Sequence, residues 1–263
     1  MRKPTSITLG KRTATASCPI RQAFAANVVC RLSSPGRRGL PVSERHHIER
    51  VRLLTQWALV RPNPLHAAED PEVVRRLIRE NPWGILVSSN NGEQVASHYP
   101  VLLDDEAEGL TVLTHVGRPD DMIHGLGSRE VLLIIQGRHG YISPSWYAPG
   151  AIRAPTWNFS AAHCYGVPQI LDPEENLIVL ARLVENFERQ VEEPMLLDLH
   201  WGRPVALGTV GIRLPVTRFV CKIKMSQDKD PVTQRQVMQA LRAPGPFHNP
   251  ELADDMARAL SEE

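Results

Sequence analysis

Cysteine is scarce in this chain and poorly spaced for joint chemistry. Cys18, Cys30, Cys164 and Cys221 form no C-x-x-C pair in 263 residues. That disfavours a cysteine-based zinc site and a disulfide framework, and fits a reducing compartment, with the cytoplasm as the expected location. No run approaches 18 consecutive apolar residues, which excludes a membrane-spanning helix. The patterns G-x-G-x-x-G and G-x-x-x-x-G-K-[ST] are both missing, so a Rossmann or P-loop nucleotide site is disfavoured. His98, His115, His124, His139 and His163 never pair as H-x-x-x-H or H-E-x-x-H, which removes the zinc-hydrolase pattern. Ser143, Ser145 and Ser160 stand in no G-x-S-x-G context. Aromatics make up only 5%, yet 42% of residues are hydrophobic, enough for a packed core.

Acidic residues are also missing from one end. None precedes Glu44, and residues 1–57 hold 11 Lys/Arg against Glu44 and Glu49, a balance of +9. The remaining 206 residues carry −8. Three readings of residues 1–57 stand side by side: a transit peptide, a basic arm for nucleic acid, or a disordered leader. The folded part is expected from about residue 58.

From there the chain reads as strands joined by short turns. Asp70-Pro71 opens a helix with Val73, Val74, Leu77 and Ile78 on one face, stopped at Asn81-Pro82. Trp83–Ser89 and 93–103 flank Asn90-Asn91-Gly92, a strong hairpin signal. Pro100 suggests an edge or a bulge there. Strands follow at Leu110–Val116 and Val131–Ile135, with a short helix at Asp120–Leu126. His139-Gly140 reads as a turn into a strand around Tyr141–Ser143. Trp157–Ile170 reads as a strand bent at Gly166. Asp172-Pro173 starts a helix over 174–191, and the last strand is 216–226. Small helices at 232–242 and 250–261 form a C-terminal tail from about residue 231. The order predicts a mainly β (α+β) fold, a small antiparallel barrel over 58–230 with helices packed outside.

The densest chemistry lies in Tyr141-Ile-Ser-Pro-Ser-Trp-Tyr147, Pro155-Thr-Trp-Asn158 and His163. Aromatic faces with amide and hydroxyl groups suit a flat ligand, although Trp146 and Trp157 read equally well as packing anchors. A lone His can serve as a haem ligand, because iron needs only one imidazole and a pocket; it can equally be a hydrogen-bonded structural residue.

Together with Lys224-Met-Ser-Gln227, these segments closely resemble the PaiB-type FMN-binding proteins, from about Arg61 to about Leu241. The resemblance implies an FMN-binding-type split β-barrel, a homodimer and a cofactor site at the subunit interface. Where that family shows His-x-Ala-Arg-Ala-Asn-Pro, this chain reads His115-Val-Gly-Arg-Pro-Asp-Asp121. Arg118 remains as a phosphate partner, now flanked by two carboxylates that weaken such a site. Many relatives carry Ser-Gln-Asn-Arg-Pro where Ser226-Gln-Asp-Lys-Asp-Pro231 stands here. The related piperazate synthases use haem to close an N–N bond in N5-hydroxyornithine. By that resemblance His124 is the expected iron ligand, with His115 second. Arg118, Trp157, Asn158 and Gln227 complete the expected cofactor site, and Lys224 and Tyr141 are the expected proton handlers. Haem b is the expected cofactor and FMN the alternative. An FMN-binding transcriptional regulator and a flavin-dependent oxidoreductase remain as other functions, though the −8 balance disfavours DNA.

Overall fold

A computed structural model describes residues 63–151 and 154–261. The basic segment 1–57 lies outside the described residues. Among the described residues, nine strands form one antiparallel sheet, interrupted by six α-helices, in a mainly β split barrel as expected. In chain order these are β1 (Ala67–Ala68), α1 (Pro71–Glu80), β2 (Trp83–Asn90), β3 (Glu93–Leu103), β4 (Thr111–Gly117), α2 (Asp120–His124), β5 (Val131–Ile142), β6 (Thr156–Gly166), β7 (Gln169–Ile170), α3 (Pro173–Glu188), α4 (Leu199–Ala206), β8 (Thr209–Pro215), β9 (Arg218–Lys224), α5 (Pro231–Arg242) and α6 (Pro250–Ser261). The sheet order is β1-β9-β6-β5-β2-β3-β4-β8-β7.

Local chemistry explains most boundaries. Asp70, Asp172 and Asp230 each accept a backbone N–H at a helix start, with Pro at the first helical position. At α3 the cap is reciprocal: Asp172 accepts from Glu175 N, and Glu175 accepts from Asp172 N. The β2–β3 hairpin turns through Asn91 and Gly92, both at positive φ.

Several expectations are corrected. Of the two readings of Pro100 the edge holds and the bulge does not: it pairs with Trp83 of β2, while the ladder with β4 begins only at Val101, so its other side is open. Its missing N–H therefore falls where the strand changes partners. His139-Gly140 is no turn, because β5 runs unbroken to Ile142 with its register shifting between Gln136 and His139. The strand from Trp157 ends at Gly166, where a Cβ would lie 2.1 Å from Pro215 O. Val167 and Pro168 then separate it from β7. Three elements, β1, α4 and β8, appear in none of the expectations.

Alternation along the strands separates two faces. The inner faces bury Leu86, Val101, Val112, Leu133, Ile135, Ala162 and Ile212 with Val74, Leu77 and Ile78 of α1. The C-terminal helices share a second core with the barrel: Val237, Leu241, Leu252 and Met256 pack on Ile142, Tyr147 and Met225. They are thus continuous with the end of β5 and β9. On the far side Leu113 meets Leu171, Val179 and Leu183 and seats α3.

Asp104, buried after β3, ties that layer down by accepting from Arg213 Nε at 3.1 Å and Arg182 at 3.5 Å. Removing this carboxylate takes the main partner from both guanidiniums, leaving Arg213 only Glu175 at 3.7 Å and Arg182 only the Leu103 carbonyl. Asp104→Ala is expected to lower the unfolding free energy by about 2 kcal/mol, less than a fully buried pair because both arginines reach solvent. Urea unfolding measures it, and Arg182→Ala should cost less because Arg213 still pairs.

Candidate functional site

The end of the β5–β6–β9 ladder gathers the aromatic block. Register places Tyr141 opposite Trp157 and Lys224 opposite Phe159. Trp157, 53% exposed, stacks on His139 with centroids 6.1 Å apart and meets the edge of Tyr141 at 6.2 Å. Phe247, from the loop before α6, packs on Tyr141 at 5.2 Å and on Trp146 at 6.1 Å. A cavity of about 480 Å³ opens between Tyr141, Trp157 and residues 246–249. The sequence reading missed Phe247; the Pro-Gly-Pro run before it and the Asn249 cap after it mark only a loop.

Lys224 sits beside this cluster. Its Nζ donates to Thr156 Oγ1 and, at 2.7 Å, to Trp157 O. Burial lowers its pKa, opposed by Asp228 and assisted by Lys229 and Lys222. It both fixes the start of β6 and holds a cation at the rim of the aromatic face.

Asn158 and Gln227 have different roles from those expected. Asn158 is fully buried and its amide exchanges bonds with Ser226 Oγ at 2.9 and 3.2 Å. Ser226 itself takes a positive φ of 66° just after β9. Gln227 accepts from Met225 N at 2.6 Å and donates to Ile223 O at 2.8 Å. Both amides help to close the end of β9.

The second group lies around β4 and α2. His115 faces Gly211 of β8, half-buried, with Nδ1 lacking any partner and its pKa lowered by burial. Arg118 is exposed and pairs with Asp121 at 3.4 Å. Asp120 accepts from Tyr99 OH, and burial together with this carboxylate pushes the Tyr99 pKa up to about 12. Each carboxylate flanking Arg118 therefore already has a protein partner.

His124 does not fit an axial iron ligand. It is buried, with Nδ1 bonded to Ser88 Oγ at 2.8 Å and Nε2 to Ser97 Oγ at 3.0 Å. A ligand needs one ring nitrogen free, and a neutral imidazole spends one as donor and one as acceptor here. Burial lowers its pKa, opposed by Asp120. The sequence hid this, because hydroxyls on β2 and β3 reach the end of α2 only through tertiary packing.

Within one chain the two groups stay apart. Strands β5, β2 and β3 lie between β6 and β4, roughly 19 Å along the sheet at about 4.8 Å per strand. Between them the outward face carries a cross-strand row, His98–Ile85–Ile134–His163–Val220, in which none is fully buried. Trp83 stacks on His98 beside it and is 58% exposed. Among the described residues, no helix is long and apolar enough to cross a membrane, and no group of His, Cys, Asp or Glu could hold a metal ion by itself.

The family described as "Putative FMN-binding domain" matches residues 61–218. A similar relative is the Protease synthase and sporulation protein PAI 2 of Bacillus subtilis (strain 168), 27% identical over 175 residues, which cover 65% of this chain and 84% of the relative. Among solved structures, the FAD and haem binding protein from Mycobacterium smegmatis is similar with a TM-score of 0.48 and 12% identity, over 65% of this chain and 78% of its own. The flavocytochrome Anf3 from Azotobacter vinelandii gives a TM-score of 0.48 and 15% identity, over 63% and 72%.

His66, His115, His124 and His163 all have pKa values lowered from 6.5, with burial the main cause. The unfolded chain takes up protons as pH falls through 6.5, while the folded chain resists until lower pH, so stability is lost below 6.5. The urea midpoint is expected to drop between pH 7 and pH 5, and to drop less in His124→Gln. Separately, His124→Ala should cost about 2 kcal/mol at pH 7, since two buried hydroxyls lose their partner.

Proposed function

Because the chain belongs to the FMN-binding domain family, we propose that it is a flavin-binding redox protein whose isoalloxazine ring rests on Trp157. The observation that carries this reading is the exposed indole face, backed by His139 and Tyr141 and rimmed by the Lys224 cation. A flat, electron-poor ring gains from stacking on such a face, and a neighbouring cation favours negative charge on it. When bound, FMN would supply reversible hydride or electron transfer. The protein's part is to stack the ring on Trp157, hold a cation at its edge through Lys224, and offer Tyr141 as a hydroxyl near the ring.

A guanidinium suits a phosphate, and Arg118 is the exposed one on the sequence motif. Its distance from Trp157 along the sheet is bridged if two copies pair through the outward faces, so that one protomer supplies Trp157 and its partner the β4–α2 group. The half-exposed row across β2, β3, β5, β6 and β9 supports such a homodimer.

A second reading, a haem protein closing an N–N bond, is favoured by one observation. His115 keeps a buried Nδ1 without a partner, where His124 has none to give. Haem would supply the redox centre, and Lys224 would then be the proton handler at the substrate amine.

Titrating the purified protein with FMN, followed by flavin absorbance and fluorescence quenching, tests both. Saturable FMN binding is expected, weakened about tenfold, or about 1.4 kcal/mol, in Trp157→Ala. A Soret band on haemin addition that His115→Ala loses and His124→Ala keeps, with no response to FMN, would overturn the flavin reading.

A further inference from the structure

Helix α4 folds back along α3. Met195 N donates to Glu188 Oε2 at the end of α3, at 2.8 Å, while Gly202 lies against Leu177 and Ala206 O accepts from Asn176 at 3.2 Å. Met195 and Leu196, between the two helices, are 65% and 63% exposed. Val191 before them, Phe187 on the last turn of α3, and Trp201 and Val205, one turn apart on α4, also reach solvent. Single exposed apolar side chains are ordinary, but six on one hairpin mark an interaction surface.

The charge on this hairpin decides what can cover it. Residues 185–201 hold Glu185, Glu188, Glu192, Glu193 and Asp198 against Arg189 alone, a balance of −4. Just outside that stretch the carboxylates are compensated, Glu174 by Arg203 at 2.5 Å and Glu175 by Arg213 at 3.7 Å. Among the described residues none of the five takes part in an ion pair. Asp198 accepts from His200 N and Glu188 from Met195 N, which leaves both charges in place. A second copy would bring the same sign to the same face, and an anionic membrane surface or a nucleic acid would be repelled as well. The stretch contains no strand whose edge an extended peptide could lengthen. A helix with one apolar and one Lys/Arg-rich face meets both demands, because its backbone is satisfied internally and its cations find the five carboxylates.

We infer that the α3–α4 hairpin is a docking surface for a basic amphipathic helix of a partner protein, which lays its apolar face on Met195, Leu196 and Trp201 and its cations among Glu185, Glu192 and Glu193. The surface does not rest on the flavin reading: α3 is seated on Leu113 of β4 through Val179 and Leu183, and no residue of the hairpin lines the cavity at Trp157.

Anisotropy titration of the full chain with a labelled helical peptide made only of Leu and Lys in amphipathic order tests it. The comparison peptides are a scramble of the same composition with no apolar face and a Leu/Glu helix of the same pattern. Saturable binding of the Leu/Lys helix is expected, with both comparison peptides about tenfold weaker or more. Met195→Ser with Leu196→Ser removes apolar contact at constant charge, and Glu192→Lys with Glu193→Lys reverses charge with the apolar contact kept. Each pair should weaken the Leu/Lys helix about tenfold or more, with the urea midpoint as the control for folding. Should one pair fail to fold, the other decides. Glu69→Lys with Glu251→Lys makes the same change in net charge on exposed residues elsewhere and should leave binding as in the unsubstituted protein. Absence of saturable binding overturns the surface. So does equal affinity for the scramble, native-like affinity in a folded hairpin pair, or an equal loss in the remote pair, which would reduce the effect to net charge. Self-association of the full chain that Met195→Ser with Leu196→Ser abolishes would assign the face to a second copy and likewise overturn it. Binding that persists in a protein indifferent to FMN would support this surface and count against the flavin reading alone.

Discussion

The pairing of β6 with β5 on one side and β9 on the other sets the position of nearly every side chain that matters here. Ten pairs hold it to β5 and seven to β9, and the strand cannot slip by one residue without turning Ala162 and Cys164 out of the core. That single register puts Trp157 outward beside Tyr141, Asn158 inward beside Ser226, and Lys224 within reach of the Trp157 carbonyl. The bulge between Gln136 and His139 then aligns His139 with the indole. The aromatic face is thus a product of strand alternation.

The polar groups divide by the same logic. Those turned inward, His124, Asn158 and Asp104, are held by Ser88 and Ser97, by Ser226, and by Arg182 and Arg213. A buried polar atom must be paired, so these residues were recruited for architecture whatever their chemistry suggests. The exceptions are therefore informative. Among the described residues His66, His115 and His163 each keep a buried Nδ1 without a hydrogen-bond partner, as do single oxygens of Asp121, Tyr165 and Asn176.

The C-terminal helices reach two cavities. Phe247, between α5 and α6, closes one side of the aromatic cavity, while Ala259 on α6 lines a cleft shared with His66 and Leu77. The ion pairs of Arg138 and Arg258 fasten α6 to the barrel.

Much of the local structure was legible in the residues alone. Asp-Pro pairs mark helix starts because an Asp side chain satisfies orphan N–H groups and Pro has none to satisfy. The Asn-Asn-Gly turn marks its hairpin because these residues tolerate positive φ. The aromatic block and Lys224 were also readable as a group, being close in sequence or in adjacent strands. What only the tertiary structure decided was which polar side chains had partners. His124 looked available on a short helix, and Gln227 looked like a ligand contact on a shared motif. Their partners come from Ser88 and Ser97 in one case and from the strand's own backbone in the other, and neither spacing nor composition records such contacts. Strand β8 and helix α4 escaped for a related reason: the burial of β8 comes from β4 and α3, elements distant in sequence. Periodicity reports a residue's own element, whereas hydrogen bonding and burial depend on what folds against it.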